Sequence, residues 1–242
     1  MSTDLSWLIA QPVAHRGLHD GNHRVWENTL SAFRRAVEAG YAIECDLQYA
    51  SDAVPVVFHD DDMERLCKIK GDVRAKTSAE LAMLSVGGTA DRVPSLKQML
   101  DLVGGKVPLV IELKGRKDDD EGFAASVLEV LEGYKGPVAL MSFDAWLLKD
   151  LKDLECPYPV GLTAEGTSPE TFFAHDEAMH YGLDFISYAW EHLPNSFVTA
   201  QRQQGKAVIT WTVRTPEALR HSYAHADQIT FEGFDPRTIE IA

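Results

Sequence analysis

The feature that most narrows what this chain can fold into is a strand-then-helix alternation running from end to end. Repeated units of that kind build a parallel sheet with helices packed on its outer face. Eight short apolar runs read as strands, at residues 13–15, 42–47, 109–113, 138–141, 160–162, 185–187, 207–211 and 228–231. Helical patterns fill the intervals at 28–39, 95–103, 121–131, 144–154, 169–181, 194–204 and 216–222. Ser95, Asp144 and Ser168 stand where N-caps belong, and Gly40, Gly133, Gly182 and Gly205 follow helix ends, where a left-handed residue closes the last turn. The series predicts a (β/α)8 TIM barrel, an α/β fold spanning residues 1–242 as one domain.

One apolar run breaks the series. Residues 54–58 follow the second strand too soon for a parallel crossover, which needs about a dozen residues or more. They are expected to form a hairpin return strand, turning at residues 51–53 and delivering His59 to the rim. The stretch to Pro94 then reads as an excursion above the barrel, an insertion at about 48–94 that is too short for a domain of its own.

A formal charge of −14 disfavours nucleic acid and anionic bilayers, both of which need a basic face. An anionic small molecule must therefore meet a local basic patch. Cys45, Cys67 and Cys156 are odd in number and lack C-x-x-C spacing, which speaks against a disulfide framework and for a reducing cytoplasm. The amino terminus has no basic segment followed by a long apolar run, and no stretch reaches membrane-spanning length, so no stable membrane association is expected. Nothing in the sequence sets an oligomeric state.

Glu44 and Asp46 lie two apart on a predicted strand, so they share the face opposite Ile43, Cys45 and Leu47. Such a pair alone is commonly solvated or engaged in a structural ion pair. Facing inward at the carboxyl end of a barrel strand, it stands where barrel enzymes place chemistry. Glu112 shares a face with Lys114 on the strand expected alongside, so three carboxylates can converge. Oxygen ligands of that kind suit a hard divalent cation, Mg2+ or Ca2+. A buried Glu112–Lys114 ion pair would account for the same two residues.

His15, Arg16 and Gly17 follow the first strand, and His59 and Asp60 close the return strand, so two imidazoles approach one rim. Beside a metal, one could take a proton from an attacking hydroxyl while the other protonates a leaving alcohol, as phosphodiester cleavage requires. Three carboxylates, a dication, Arg16 and Lys114 sum to a charge of about +1, which a diester monoanion neutralises better than a monoester dianion does.

Taken in order, the motifs resemble those of the glycerophosphodiester phosphodiesterase family: His15-Arg16-Gly17, Glu27-Asn28-Thr29, Glu44-x-Asp46, Pro55-Val56-Val57-Phe58-His59-Asp60, Ile111-Glu112-Leu113-Lys114, Ser142-Phe143-Asp144 and Trp211-Thr212-Val213. Each is short, but together they span nearly the whole chain at expected strand ends. The resemblance implies metal-dependent hydrolysis of a glycerophosphodiester to glycerol 3-phosphate and an alcohol. Glu44, Asp46 and Glu112 would hold the divalent cation, His15 and His59 would be acid and base, and Arg16 and Lys114 would hold phosphate oxygens. It leaves open whether a neighbouring substrate hydroxyl attacks first, through a cyclic phosphate, or water attacks directly. Glu27 reads equally as a helix cap or as a group behind the metal ligands, and Asn28 shares that ambiguity. Trp211, inward on the seventh barrel strand, is expected to wall the glycerol carbons.

The chain departs from the family pattern in three places. The last strand runs into Glu232-Gly233-Phe234-Asp235-Pro236 instead of an Asp shortly before Arg-Pro, so the pocket floor is expected to differ. The turn before the return strand is Asp52-Ala53 rather than Asp-Gly, and Trp26 replaces a proline. Trp26, His19 and His23 lie in the first rim loop, where they either shape substrate choice or pack the loop. Competing readings are a lysophospholipase D-type hydrolase, which needs an apolar groove or ridge at the rim, and a non-catalytic barrel that binds a phosphorylated ligand with a metal. A metal-dependent sugar-phosphate aldolase or isomerase would need a further proton-abstracting group, for which the sequence offers no separate candidate.

Overall fold

In the computed structural model, which describes residues 4–240, the strands are Val13–Ala14 (β1), Ala42–Tyr49 (β2), Pro55–Val57 (β3), Leu109–Leu113 (β4), Val138–Ser142 (β5), Val160–Ala164 (β6), Phe185–Ala189 (β7), Ala207–Val213 (β8) and Gln228–Phe231 (β9). All but β3 run parallel, and β1 pairs with both β2 and β9, which closes the sheet into an eight-stranded ring. Among the helices, Ser6–Ile9 (α1) precedes the barrel and Leu30–Ala39 (α2) follows β1. Glu64–Cys67 (α3) and Ser78–Leu81 (α4) belong to the insertion. The remaining outer helices are Leu96–Val103 (α5), Phe123–Leu131 (α6), Ala145–Asp153 (α7), Pro169–Met179 (α8), Ser196–Gln203 (α9) and Pro216–His225 (α10). The expected TIM barrel forms.

Strand parity divides the core. Ile43, Cys45, Leu47, Leu109, Ile111 and Leu113 point outward and bury themselves against the helices. Each large apolar side chain so buried contributes about 1.5–3 kcal/mol. The opposite face fills the barrel: Val13, Ala42, Val110, Ala139, Phe185 and Ile209 pack together there, with Leu8 of α1 joining the cluster. Gly161 is required in this layer, because a Cβ at that position would lie 2.4 Å from the Phe185 ring. Above the apolar layer the inward positions turn polar, and the site begins.

β3 pairs antiparallel with β2, Leu47 opposite Val57 and Tyr49 opposite Pro55, as the hairpin reading requires. Ala53 turns the chain at φ 61°, a left-handed conformation that favours glycine. Beyond β3 the insertion builds its own apolar cluster from Val56, Phe58, Met63, Leu66, Val73, Leu81, Val86 and Val93. Trp26 packs against it, lying so close to Gly87 that a Cβ there would meet the indole at 1.9 Å.

Several boundaries differ from expectation. Ser95 and Ser168 cap their helices, but Asp144 makes no side-chain capping bond; its carboxylate accepts instead from the Gly115 N–H at 3.4 Å. Thr29, not Glu27 or Asn28, caps α2, and Asn28 sits outside the helix at φ 55°. Asn195 caps α9, so Pro194 precedes the helix, and α10 continues to His225.

Candidate active site

The strand pleat raises Glu44 and Asp46 above Ala42, and Glu112 and Lys114 above Val110, all on the inner face at the carboxyl ends of β2 and β4. His15 continues the inner face of β1, and the hairpin brings in His59. His15, Arg16, Glu44, Asp46, His59, Glu112, Lys114 and Trp211 line one cavity of about 200 Å3, together with Phe143, Glu191 and Arg214. A larger cavity of about 1020 Å3 lies at the opposite end of the barrel, around Asp4, Ile9, Lys206 and Asp227, and contains none of these groups.

Ligand oxygens of Glu44, Asp46 and Glu112 all lie within 4.8 Å of one another, and all three residues are buried. Lys114 Nζ sits 2.6 Å from Glu112 Oε1 and 3.5 Å from Asp46 Oδ1, so the ion pair and the acidic cluster coexist. Arg16 Nε lies 3.2 Å from Asp46 Oδ2. The three acids respond differently to this setting. Burial pushes all of them up, but at Asp46 the charges of Arg16 and Lys114 prevail and hold the group at about 2. Glu112 is pushed up to about 7, burial and Asp46 outweighing Lys114. Glu44 rises well above the usual carboxylate range through burial and the charges of Asp46 and Glu112. Arg16, whose backbone N–H donates to Glu44 Oε2 at 2.9 Å, offsets this only in part, and three convergent oxygen donors match the preference of a hard dication.

Both imidazoles are oriented by carboxylates. His15 Nδ1 donates to Glu232 Oε2 at 2.5 Å, which leaves Nε2 as the acceptor, 3.9 Å from Glu44. His59 Nδ1 donates to Asp60 Oδ1 at 2.7 Å. Burial lowers the pKa of each, against the pull of these acids. Glu232 also accepts from Arg214 Nε at 2.7 Å and faces His19 Nε2 at 3.4 Å. These hydrogen bonds, overcoming burial, keep it far below the usual range. His15, His19 and Glu232 form a second possible metal cluster by distance alone. The Gly21 N–H, however, donates to His19 Nδ1, so the proton of the neutral ring is on Nε2, which faces Glu232 at 3.4 Å without a hydrogen bond and is no ligand.

The two residues left ambiguous by sequence fall behind the cavity. Asn28 Nδ2 donates to Asp46 Oδ2 at 2.8 Å. Glu27 accepts from Arg16 Nη1 at 2.6 Å and from Arg65, and is held below the usual range by Arg65 and Arg16 although burial opposes them. Trp211 lies edge-to-face with Phe143, ring centroids 5.5 Å apart, and its Nε1 donates to Ser187 O. Sequence reasoning missed Glu232, Arg65, Arg214 and Glu191. Glu232 alone had a signal, as an acid two residues beyond an inward Thr230.

Residues 15–238 match the model of the Glycerophosphoryl diester phosphodiesterase family. A glycerophosphodiester phosphodiesterase of Caldanaerobacter subterraneus subsp. tengcongensis is 29% identical, over 94% of this chain and 95% of its own. Among solved structures, a glycerophosphodiester phosphodiesterase from Thermotoga maritima is 26% identical with a TM-score of 0.74, covering 91% of this chain and 94% of that one. An Oleispira antarctica phosphodiesterase in complex with the product sn-glycerol-3-phosphate shares the fold at a TM-score of 0.83 and 22% identity, covering 95% of this chain and 94% of that one.

Proposed function

The chain belongs to the glycerophosphoryl diester phosphodiesterase family and is a phosphodiesterase, and from that premise we propose that it hydrolyses deacylated glycerophosphodiesters with a divalent cation and a histidine pair. The observation that carries this reading is the convergence of Glu44, Asp46 and Glu112 on one cavity with two imidazoles whose Nδ1 protons are fixed by carboxylates. Glycerol 3-phosphate and an alcohol are the products. The product bound to the Oleispira antarctica enzyme supports that assignment.

Glu44, Asp46 and Glu112 would hold Mg2+ or Ca2+, which when bound supplies positive charge to the phosphoryl oxygens. Arg16 and Lys114 hold the remaining phosphate charge; Lys114 stays protonated because Asp46 and Glu112 outweigh its burial. His15 Nε2 takes the proton from the attacking oxygen, and Glu232 steadies the imidazolium that results. His59, with Asp60 behind it, donates a proton to the departing alcohol oxygen. When the glycerol 2-hydroxyl is the nucleophile, a cyclic phosphate forms and the two histidines exchange roles as water opens it. Trp211 and Phe143 supply the apolar wall for glycerol carbons.

A phosphorus NMR time course on glycerophosphocholine tests this. The native protein with Mg2+ or Ca2+ is expected to yield glycerol 3-phosphate, and His15→Asn and His59→Asn each to lose about 100-fold or more of the rate. Full turnover in either variant would refute the two-histidine assignment.

A further inference from the structure

Arg16 and His59 reach the cavity from different strand ends, and an arginine of the insertion stands between them. Arg65, on α3, donates to both oxygens of Glu27, Nη1 to Oε2 at 2.8 Å and Nη2 to Oε1 at 2.7 Å. The same guanidinium grips Asp60, Nε to Oδ2 at 2.7 Å and Nη2 to Oδ1 at 2.8 Å. Glu27 Oε1 in turn accepts from Arg16, and Asp60 Oδ1 from His59. The result is an unbroken row of alternating groups, Arg16–Glu27–Arg65–Asp60–His59, closed by one planar fork.

Only a guanidinium can serve two carboxylates in this way, since a lysine ammonium has no rigid second edge. The fork is well anchored. Leu66 beside it is fully buried in the insertion's core, and its carbonyl accepts from Gly87 N at 2.8 Å. Arg65 itself does not line the cavity. It reaches the reacting atoms only through its two acids.

We propose that Arg65 is a positioning residue: it sets the relative placement of Arg16 and His59 and so ties helix α3 of the insertion to the catalytic apparatus. This rests on the functional reading given above. A misplacement of about 1 Å can cost on the order of 100-fold in rate, so Arg65→Ala should lower kcat by about 10- to 100-fold, with a smaller change in KM. Arg65→Lys should not restore it, whereas low concentrations of guanidinium should partly rescue the alanine variant, because the Arg65 side chain is 44% exposed. In the double variant Arg65→Ala/Asp60→Asn the loss should match that of the worse single change.

A readout independent of turnover is the His59 Nδ1 proton resonance, assigned by its disappearance in His59→Gln. It should exchange faster with water or vanish in Arg65→Ala. A variant whose kcat is unchanged at a temperature where it is fully folded, with only its melting temperature lowered, would overturn the proposal, as would an unaltered His59 resonance. If the native protein cleaved no diester, the functional reading would fall, and the resonance alone would still decide whether Arg65 positions His59.

Discussion

Glu44 is buried beside two carboxylates, and among the described residues no lysine or arginine side chain forms an ion pair with it, Arg16 reaching it by its backbone N–H and its more distant charge. Its raised pKa is therefore a statement about stability. The unfolded chain releases this proton near 4.5, the folded chain only at higher pH, so ionised Glu44 destabilises the metal-free fold increasingly as pH rises through that interval. Glu44→Gln should accordingly match the native protein in stability at pH 4 and exceed it at pH 8 when metal is chelated. With Mg2+ or Ca2+ added, the order should reverse, since cation binding stabilises only the protein that can hold it. Melting curves with and without chelator check both signs, and a gain independent of pH would contradict the reasoning. Glu232 makes a kinetic counterpart. Replacing it with Gln removes the fixed acceptor for His15 Nδ1–H, frees the ring to adopt the other tautomer, and should lower kcat by about 100-fold or more. Its inward position was legible in the sequence but its pairing was not, because the partner, His15, stands 217 positions away, across the seam where β1 and β9 pair.

At the scale of elements, most of the architecture was legible because the pleat and the helical repeat impose their periods directly on residue type. β4 and β9 occupy the expected residues, and Glu44 and Asp46 face inward as two-residue spacing demands. Helix starts were less legible. A capping carboxylate and a carboxylate bonded elsewhere look alike in sequence, and Asp144 proved to be the second kind. The β2–β3 hairpin followed from chain length alone, and it delivers His59. Its tip carries an inherited cost: Ala53 adopts φ 61° without hydrogen-bond compensation from its side chain. Ala53→Gly should stabilise the protein by about 1 kcal/mol, read as a rise in denaturation midpoint with unchanged slope. Arg65 shows why the insertion resisted reading. Its charge could have been solvated on any exposed turn, and only the folded position of α3 brings it between Glu27 and Asp60.

The whole molecule gathers its chemistry on one end of the barrel. The apolar layer around Phe185 closes the interior below, and the carboxylates, imidazoles and cations stand above it. No helix among the described residues is long and apolar enough to cross a membrane. A protein of formal charge −14 thus presents an anionic substrate with Arg16, Lys114 and Arg214 at the cavity. The most direct test of this account is the release of glycerol 3-phosphate from glycerophosphocholine and glycerophosphoethanolamine by the purified protein, with Mg2+ or Ca2+ supplied or chelated, beside Glu44→Gln. Release that requires the cation and disappears in the variant is the expected result; equal release in chelator, or from Glu44→Gln, would contradict the assignment of the three carboxylates.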